Sequence, residues 1–144
     1  MYIKYIFIQI FYWALSCSTY AFANSYFTYK GFGISDVGNV LAISSLISVI
    51  IQPLMAKLIE KNENFTVKKF IIHSLFIIVI TSIVIFSINN KLLILIFYVI
   101  LVTSLLNAQT YLYTFIFEYI NSGYKVNFGF ARGVGSVSFA MTSL

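Results

Sequence analysis

Leu92-Leu93-Ile94-Leu95-Ile96-Phe97 opens a stretch, residues 92–117, that reads LLILIFYVILVTSLLNAQTYLYTFIF without a single charge. A transmembrane barrel strand alternates apolar and polar residues over about 10 positions. The opening run is apolar at every position, so it reads as helix. At 1.5 Å per residue such a helix is about 39 Å long, enough to cross a hydrocarbon core about 30 Å thick. The same reading repeats outward in both directions. Leu75-Phe76-Ile77-Ile78-Val79-Ile80 is also apolar throughout, and residues 5–29, 37–56 and 70–88 contain no Lys, Arg, Asp or Glu. Helices are therefore expected at about 5–29, 37–58, 69–88 and 92–119. A fifth apolar stretch, 128–144, reaches Leu144 about three residues short of a typical span. The fold class is an all-α membrane protein with four complete transmembrane helices and a truncated fifth.

Composition agrees. The 144 residues are 60% hydrophobic and only 9% charged, against about 25% charged in soluble domains, whose surface must face water. The 15 Phe and 11 Tyr suit rings packed between helices or set at headgroup level. The net charge of +5 does not indicate nucleic acid, because the cations form no stripe or arm but punctuate the ends of apolar segments. A single cysteine, Cys17, excludes an internal disulfide and a cysteine-rich metal site. It follows Leu15-Ser16 as in a lipoprotein cleavage box, but Ala14 and Leu15 stand in the wrong order and the apolar run continues through Phe27, so a first transmembrane helix is the better reading.

The connections carry turn chemistry. Residues 30–36 hold two glycines and a helix N-cap expected at Ser35. Glu60 to Lys69 is the most polar stretch, Asn89-Asn90-Lys91 is a tight turn, and Gly123 is a stop signal for the fourth helix. With the N-terminus in the cytoplasm, Lys4, Lys57, Lys61, Lys68, Lys69, Lys125 and Arg132 lie inside, and only Lys30 and Lys91 lie outside. Seven against two favours that orientation in a cell (inner or plasma) membrane.

Ser35-Asp36-Val37-Gly38, Ala42-Ile43-Ser44-Ser45-Leu46 and Gln52-Pro53-Leu54 resemble the second helix of the lactose permease-like, oligosaccharide–proton symporter branch of the major facilitator superfamily. Glu60-Lys61 followed by Lys68-Lys69 falls where that superfamily carries its signature loop, although Ala56 replaces the usual glycine and extra residues separate the acid from the lysines. Asn107-Ala108 and the segment 127–136, NFGFARGVGS, resemble the family's helices four and five. The similarity covers nearly the whole chain but only the first third of a twelve-helix transporter. The expected architecture is thus the N-terminal part of a six-helix half, residues 1–144 forming a partial N-terminal transmembrane domain.

The resemblance implies substrate contacts at Arg132, Glu118, Thr114, Asn107, Phe139 and Trp13. Arg132 offers five donors in a fixed fork and is costly in an apolar span unless it meets water or a partner. The family's arginine binds sugar hydroxyls; the other reading is that Arg132 snorkels to the nearer interface. Thr114 stands at the position of the family's glutamate, and Glu118, one turn on, offers a carboxylate from a lower level or is a solvated charge at the helix end. Phe139 replaces a sugar-stacking tryptophan and either stacks on solute or packs the helix. Gln9, Trp13, Ser16, Tyr20 and Asn24 make one moderately polar stripe on the first helix, open to a cavity reading or an interhelical-bonding reading; Asn107 and Gln109 carry the same two readings. Glu60, Lys61, Lys68 and Lys69 read as a gating loop or as positive-inside charge alone. His73 reads as an interfacial hydrogen bonder.

The function implied is transport of a sugar or similar small polar solute by proton-coupled alternating access, as part of a longer transporter. The partners implied are the lipid bilayer, the solute, a coupling proton and the remaining C-terminal helices. No nucleophile–base pair, phosphate loop or metal-ligand spacing points to an enzyme or a cofactor. The alternative is a small non-transporting membrane bundle or scaffold, or an inactive truncated gene product. A four-helix exporter dimer would place a carboxylate in the first helix, where there is none.

Overall fold

Each helix after the first pair begins where a side chain reaches back to orphan backbone N–H groups. In the computed structural model, which describes residues 2–62 and 65–144, the elements run α1 (Tyr2–Tyr20), α2 (Ala23–Tyr29), α3 (Ile34–Lys61), α4 (Val67–Ser87), α5 (Lys91–Asn121) and α6 (Phe128–Ser143). Thr66 Oγ1 caps α4 by accepting from Lys69 N–H (3.4 Å), and Asn127 Oδ1 caps α6 by accepting from Phe130 N–H (2.9 Å). Asn90 Oδ1 accepts from both Leu92 and Leu93 N–H at the start of α5 (3.0 and 3.3 Å). The cap of α3 is Gly33 and not Ser35: Gly33 N–H donates to Asp36 Oδ2 (2.9 Å) and Asp36 N–H donates to the Gly33 carbonyl (3.1 Å). That reciprocal pair, with a carboxylate in the positive first turn, starts the helix two residues before Asp36. Gly123, at φ +89°, ends α5 as the sequence predicts.

Among the described residues four segments are long and apolar enough to cross a membrane: Tyr2–Tyr29, Ile34–Lys61, Val67–Ser87 and Lys91–Asn121. The described residues form helices and connecting loops and no strand. The first segment is interrupted at residues 21–22, where one unbroken helix over 5–29 is expected. One turn upstream, Ser18 and Thr19 donate their hydroxyls to the carbonyls of Ala14 (3.1 Å) and Leu15 (3.0 Å), a pattern that bends helices.

α4 shows why lipid must be the outer solvent. It buries Val67, Ile71, Ser74, Ile78, Thr81 and Ile85, a stripe alternating by four and three residues. Its other faces hold Phe76, Ile80, Ile83 and Phe86, all more than half exposed. The outward side is thus more apolar than the packed stripe, the reverse of a soluble helix.

The chain divides into two compact units, residues 27–115 and a second made of 1–26 with 116–144. In the 27–115 unit, α3 and α5 run parallel. Thr103 Oγ1 donates to the Ser44 carbonyl (3.4 Å), Ser44 Oγ approaches the Val99 carbonyl (3.4 Å), and Tyr111 OH donates to the Gln52 carbonyl (2.8 Å). At one end of that unit Lys30 Nζ donates to Asn89 Oδ1 (3.0 Å), while Lys91 Nζ donates to the Gly31 carbonyl and lies 5.3 Å from the centre of the Phe32 ring.

The other unit is built on α1 and α6, also parallel: Tyr2 OH contacts the Asn127 carbonyl (3.3 Å) and Ser138 Oγ donates to the Ile10 carbonyl (2.8 Å). Its core is Tyr5, Ile116 and Ala131, flanked by Tyr2, Ile6, Ile120, Val126 and Phe128.

Candidate functional site

On α6 the sequence FGFARGVGSVSF sorts into two faces. Ala131 and Gly135, one turn apart, are buried and turn toward α1. Arg132, Gly133 and Ser136 are exposed, and Phe139, two turns beyond Arg132 and so on nearly the same face, is half-buried. Gly135 is where α1 comes closest. A β-carbon there would meet Cδ1 of Trp13 at 2.2 Å and its Nε1 at 2.7 Å. The indole lies against bare backbone, and only glycine leaves room for it.

Trp13 is held from several sides. Its Nε1 donates to Gln9 Oε1 (3.0 Å), and Gln9 Nε2 donates in turn to Tyr5 OH (2.6 Å). Edge-to-face contacts join it to Tyr12 (5.8 Å between centroids) and Phe139 (6.1 Å, 78° between planes). The polar residues Tyr5, Gln9 and Trp13 therefore form one ladder along α1, with Gln9 fully buried. Ser16 continues the stripe: it is 4% exposed, and its Oγ is one of two buried side-chain polar atoms without a hydrogen-bond partner among the described residues. Tyr20 is half-buried and Asn24 exposed.

Glu118 belongs to the same unit and is exposed on the last full turn of α5; its carbonyl accepts from both the backbone and the hydroxyl of Ser122 (3.0 and 2.8 Å). Of the residues expected to bind substrate, the structure thus brings Trp13 and Phe139 into contact and leaves Arg132 and Glu118 exposed in the same unit. Sequence reasoning missed Gly135 and Ser138 as the residues that seat α6 on α1. The signal was present as Ala131, Gly135 and Ser138, small residues at helical spacing.

The remaining expected residues lie in the 27–115 unit. Thr114 is exposed and bonds back to the Thr110 carbonyl (3.2 Å). Asn107 is 2% exposed; its Nδ2 donates to the Thr103 carbonyl (2.8 Å), and its Oδ1 is the second unpartnered buried atom. Gln109 donates to Tyr113 OH (3.2 Å) along its own helix. Glu60 and Lys61 end α3, Lys68 and Lys69 fall in the first turn of α4, and all four are exposed; residues 63 and 64 between them lie outside the described residues. The Lys69 carbonyl accepts from His73 Nδ1 (2.7 Å), and the imidazole sits 6.1 Å from the Phe65 ring. Among the described residues no group of three or more His, Cys, Asp or Glu side chains could hold a metal.

Apolar-sided helices long enough to span a bilayer, polar side chains bonded within the packed faces and cations at the helix ends define a multi-pass α-helical membrane protein. The sequence matches the MFS_1 like family over residues 2–144, and the chain belongs to that family, within the major facilitator superfamily of membrane transporters. No curated protein and no solved structure matches it.

Proposed function

We propose that this chain contributes transmembrane helices to a transporter that carries a sugar, or a similar small polar solute, by proton-coupled alternating access, working with further helices as a two-halved carrier does. The observation that carries the reading is the family match over residues 2–144 combined with an arginine on the exposed face of α6. On that face Arg132 supplies a planar fork of donors suited to vicinal hydroxyls, and Phe139, backed by Trp13, supplies an apolar ring face about 10 Å along the helix axis. Glu118 supplies a carboxylate acceptor. Glu60, Lys61, Lys68 and Lys69 form the cytoplasmic gate, and the N-terminus lies on the same cytoplasmic side of a cell membrane.

Uptake into transport-deficient cells tests this. Cells expressing the gene are expected to accumulate one member of a panel of radiolabelled di- and trisaccharides, with uptake abolished by a protonophore. Arg132→Lys keeps the charge and loses the fork, and is expected to cut kcat/KM at least tenfold while the protein still inserts. A specific reading competes at this residue: Arg132 lies only one turn inside α6, about 6 Å along its axis, within reach of an interface. Unchanged uptake by Arg132→Lys would assign the residue to the headgroups, and no uptake of any sugar by the wild type would overturn the solute assignment.

A further inference from the structure

The seam between α3 and α5 has a regular register. Thr103 bonds to the carbonyl of Ser44, and Tyr111 bonds to the carbonyl of Gln52. Both pairs are separated by 59 residues, and each lies two turns from the other along its helix. Parallel helices in that register set Ser48 against Asn107 halfway between, about 6 Å from either rung. Both middle residues are 2% exposed. Both also carry unused bonding capacity. Asn107 spends an amide hydrogen on the Thr103 carbonyl, and its Oδ1 accepts nothing. Ser48 Oγ accepts from Gln52 Nε2 (3.2 Å), which leaves its own hydrogen to give. An acceptor that lacks a donor thus shares a rung with a donor that has a hydrogen to spend.

A buried polar atom left unpaired is costly, and more so where no bulk water can reach it. In folded proteins such atoms are commonly met by single water molecules making two to four bonds. We propose that the middle rung of the α3–α5 seam binds one buried water, which donates to Asn107 Oδ1 and accepts from the Ser48 hydroxyl. The rungs above and below close by direct bonds, which confines the unpaired acceptor to the turn between them. Asn107 on this account braces the seam and does not touch cargo, and the proposal stands apart from the choice of solute.

Melting curves of the full chain in lipid nanodiscs test it. Asn107→Leu fills the same volume without polar atoms, expels the water and strands the Ser48 hydroxyl. It is expected to lower Tm by about 2–4 °C. Ser48→Ala alone should lower it too, and adding Ser48→Ala to Asn107→Leu should cost nothing further, because both changes lose the same molecule. A rise in Tm for Asn107→Leu, the result of deleting a dry unpaired acceptor, would overturn the proposal, as would two losses that simply add. Radiolytic hydroxylation of the wild type, which marks side chains beside bound water, needs no variant to fold. Tyr111, one turn from Asn107 and 4% exposed, is expected to be oxidised in the resting protein. An unmarked Tyr111 would count against the water.

Discussion

A methyl group added at Gly135 would overlap the Trp13 indole at 2.2 Å, and the indole has little freedom to retreat while its Nε1 is bonded to Gln9 and its ring meets Tyr12 and Phe139. Gly135→Ala must therefore push α6 away from α1 or eject the ring. Overpacking of this kind costs about 1–3 kcal/mol. Trp13 is the only tryptophan in the chain, so the change has a built-in reporter. Gly135→Ala is expected to lower the melting temperature and to shift the fluorescence maximum to the red, as the indole moves out of its packed seat. Trimming the ring with Trp13→Leu in the same chain should recover most of the lost stability. A melting curve and spectrum identical to wild type would mean that α1 and α6 do not approach as closely as described.

At the scale of the element, caps set helix ends and can be weighed against one another. Asn90 Oδ1 serves two backbone N–H groups at the start of α5, whereas Asn89 Oδ1 takes a single exposed bond from Lys30. Asn90→Ala is expected to cost about 1 kcal/mol, and Asn89→Ala a few tenths at most. Equal losses in thermal melts would contradict the assigned cap. The helices themselves were legible because a run such as 92–117 has one solution in a bilayer, and Gly123 marks its end. Two boundaries were less legible. Ser35 looked like the cap of α3, but Asp36 selects Gly33 by bonding its N–H, a choice between residues two positions apart that composition does not make. The break at residues 21–22 has no proline or glycine, and the hydroxyls of Ser18 and Thr19 that precede it resemble many that leave helices straight.

For the whole molecule, the sequence places charges on sides of a membrane but not beside one another. Arg132, Phe139 and Trp13 could be singled out from residue type and resemblance; that Trp13 faces Gly135 and supports Phe139 depends on the parallel pairing of α1 with α6, a contact between segments more than a hundred residues apart. Orientation is the property of the whole chain that can be tested most directly. Lys30 and Lys91, the two cations counted as outside, share one end of the 27–115 unit through their bonds to Asn89 and Gly31. Lys57 and Lys61 lie in the last turns of α3 and Lys68 and Lys69 in the first turn of α4, flanking the 62–66 loop one span away from each of those turns. The charge bias therefore predicts that the 30–33 and 88–91 turns face outward and the 62–66 loop faces the cytoplasm. Replacing buried Cys17 with Ser clears the background, and single cysteines at Tyr29, which is 85% exposed, and at Asn62 then report the two sides without removing any cation. An impermeant maleimide added to intact cells is expected to label Tyr29→Cys and spare Asn62→Cys, with the pattern reversed in inside-out vesicles. The opposite pattern would place the N-terminus outside, and with it the lysines at both ends of the 62–66 loop, removing the cytoplasmic gate from the proposal.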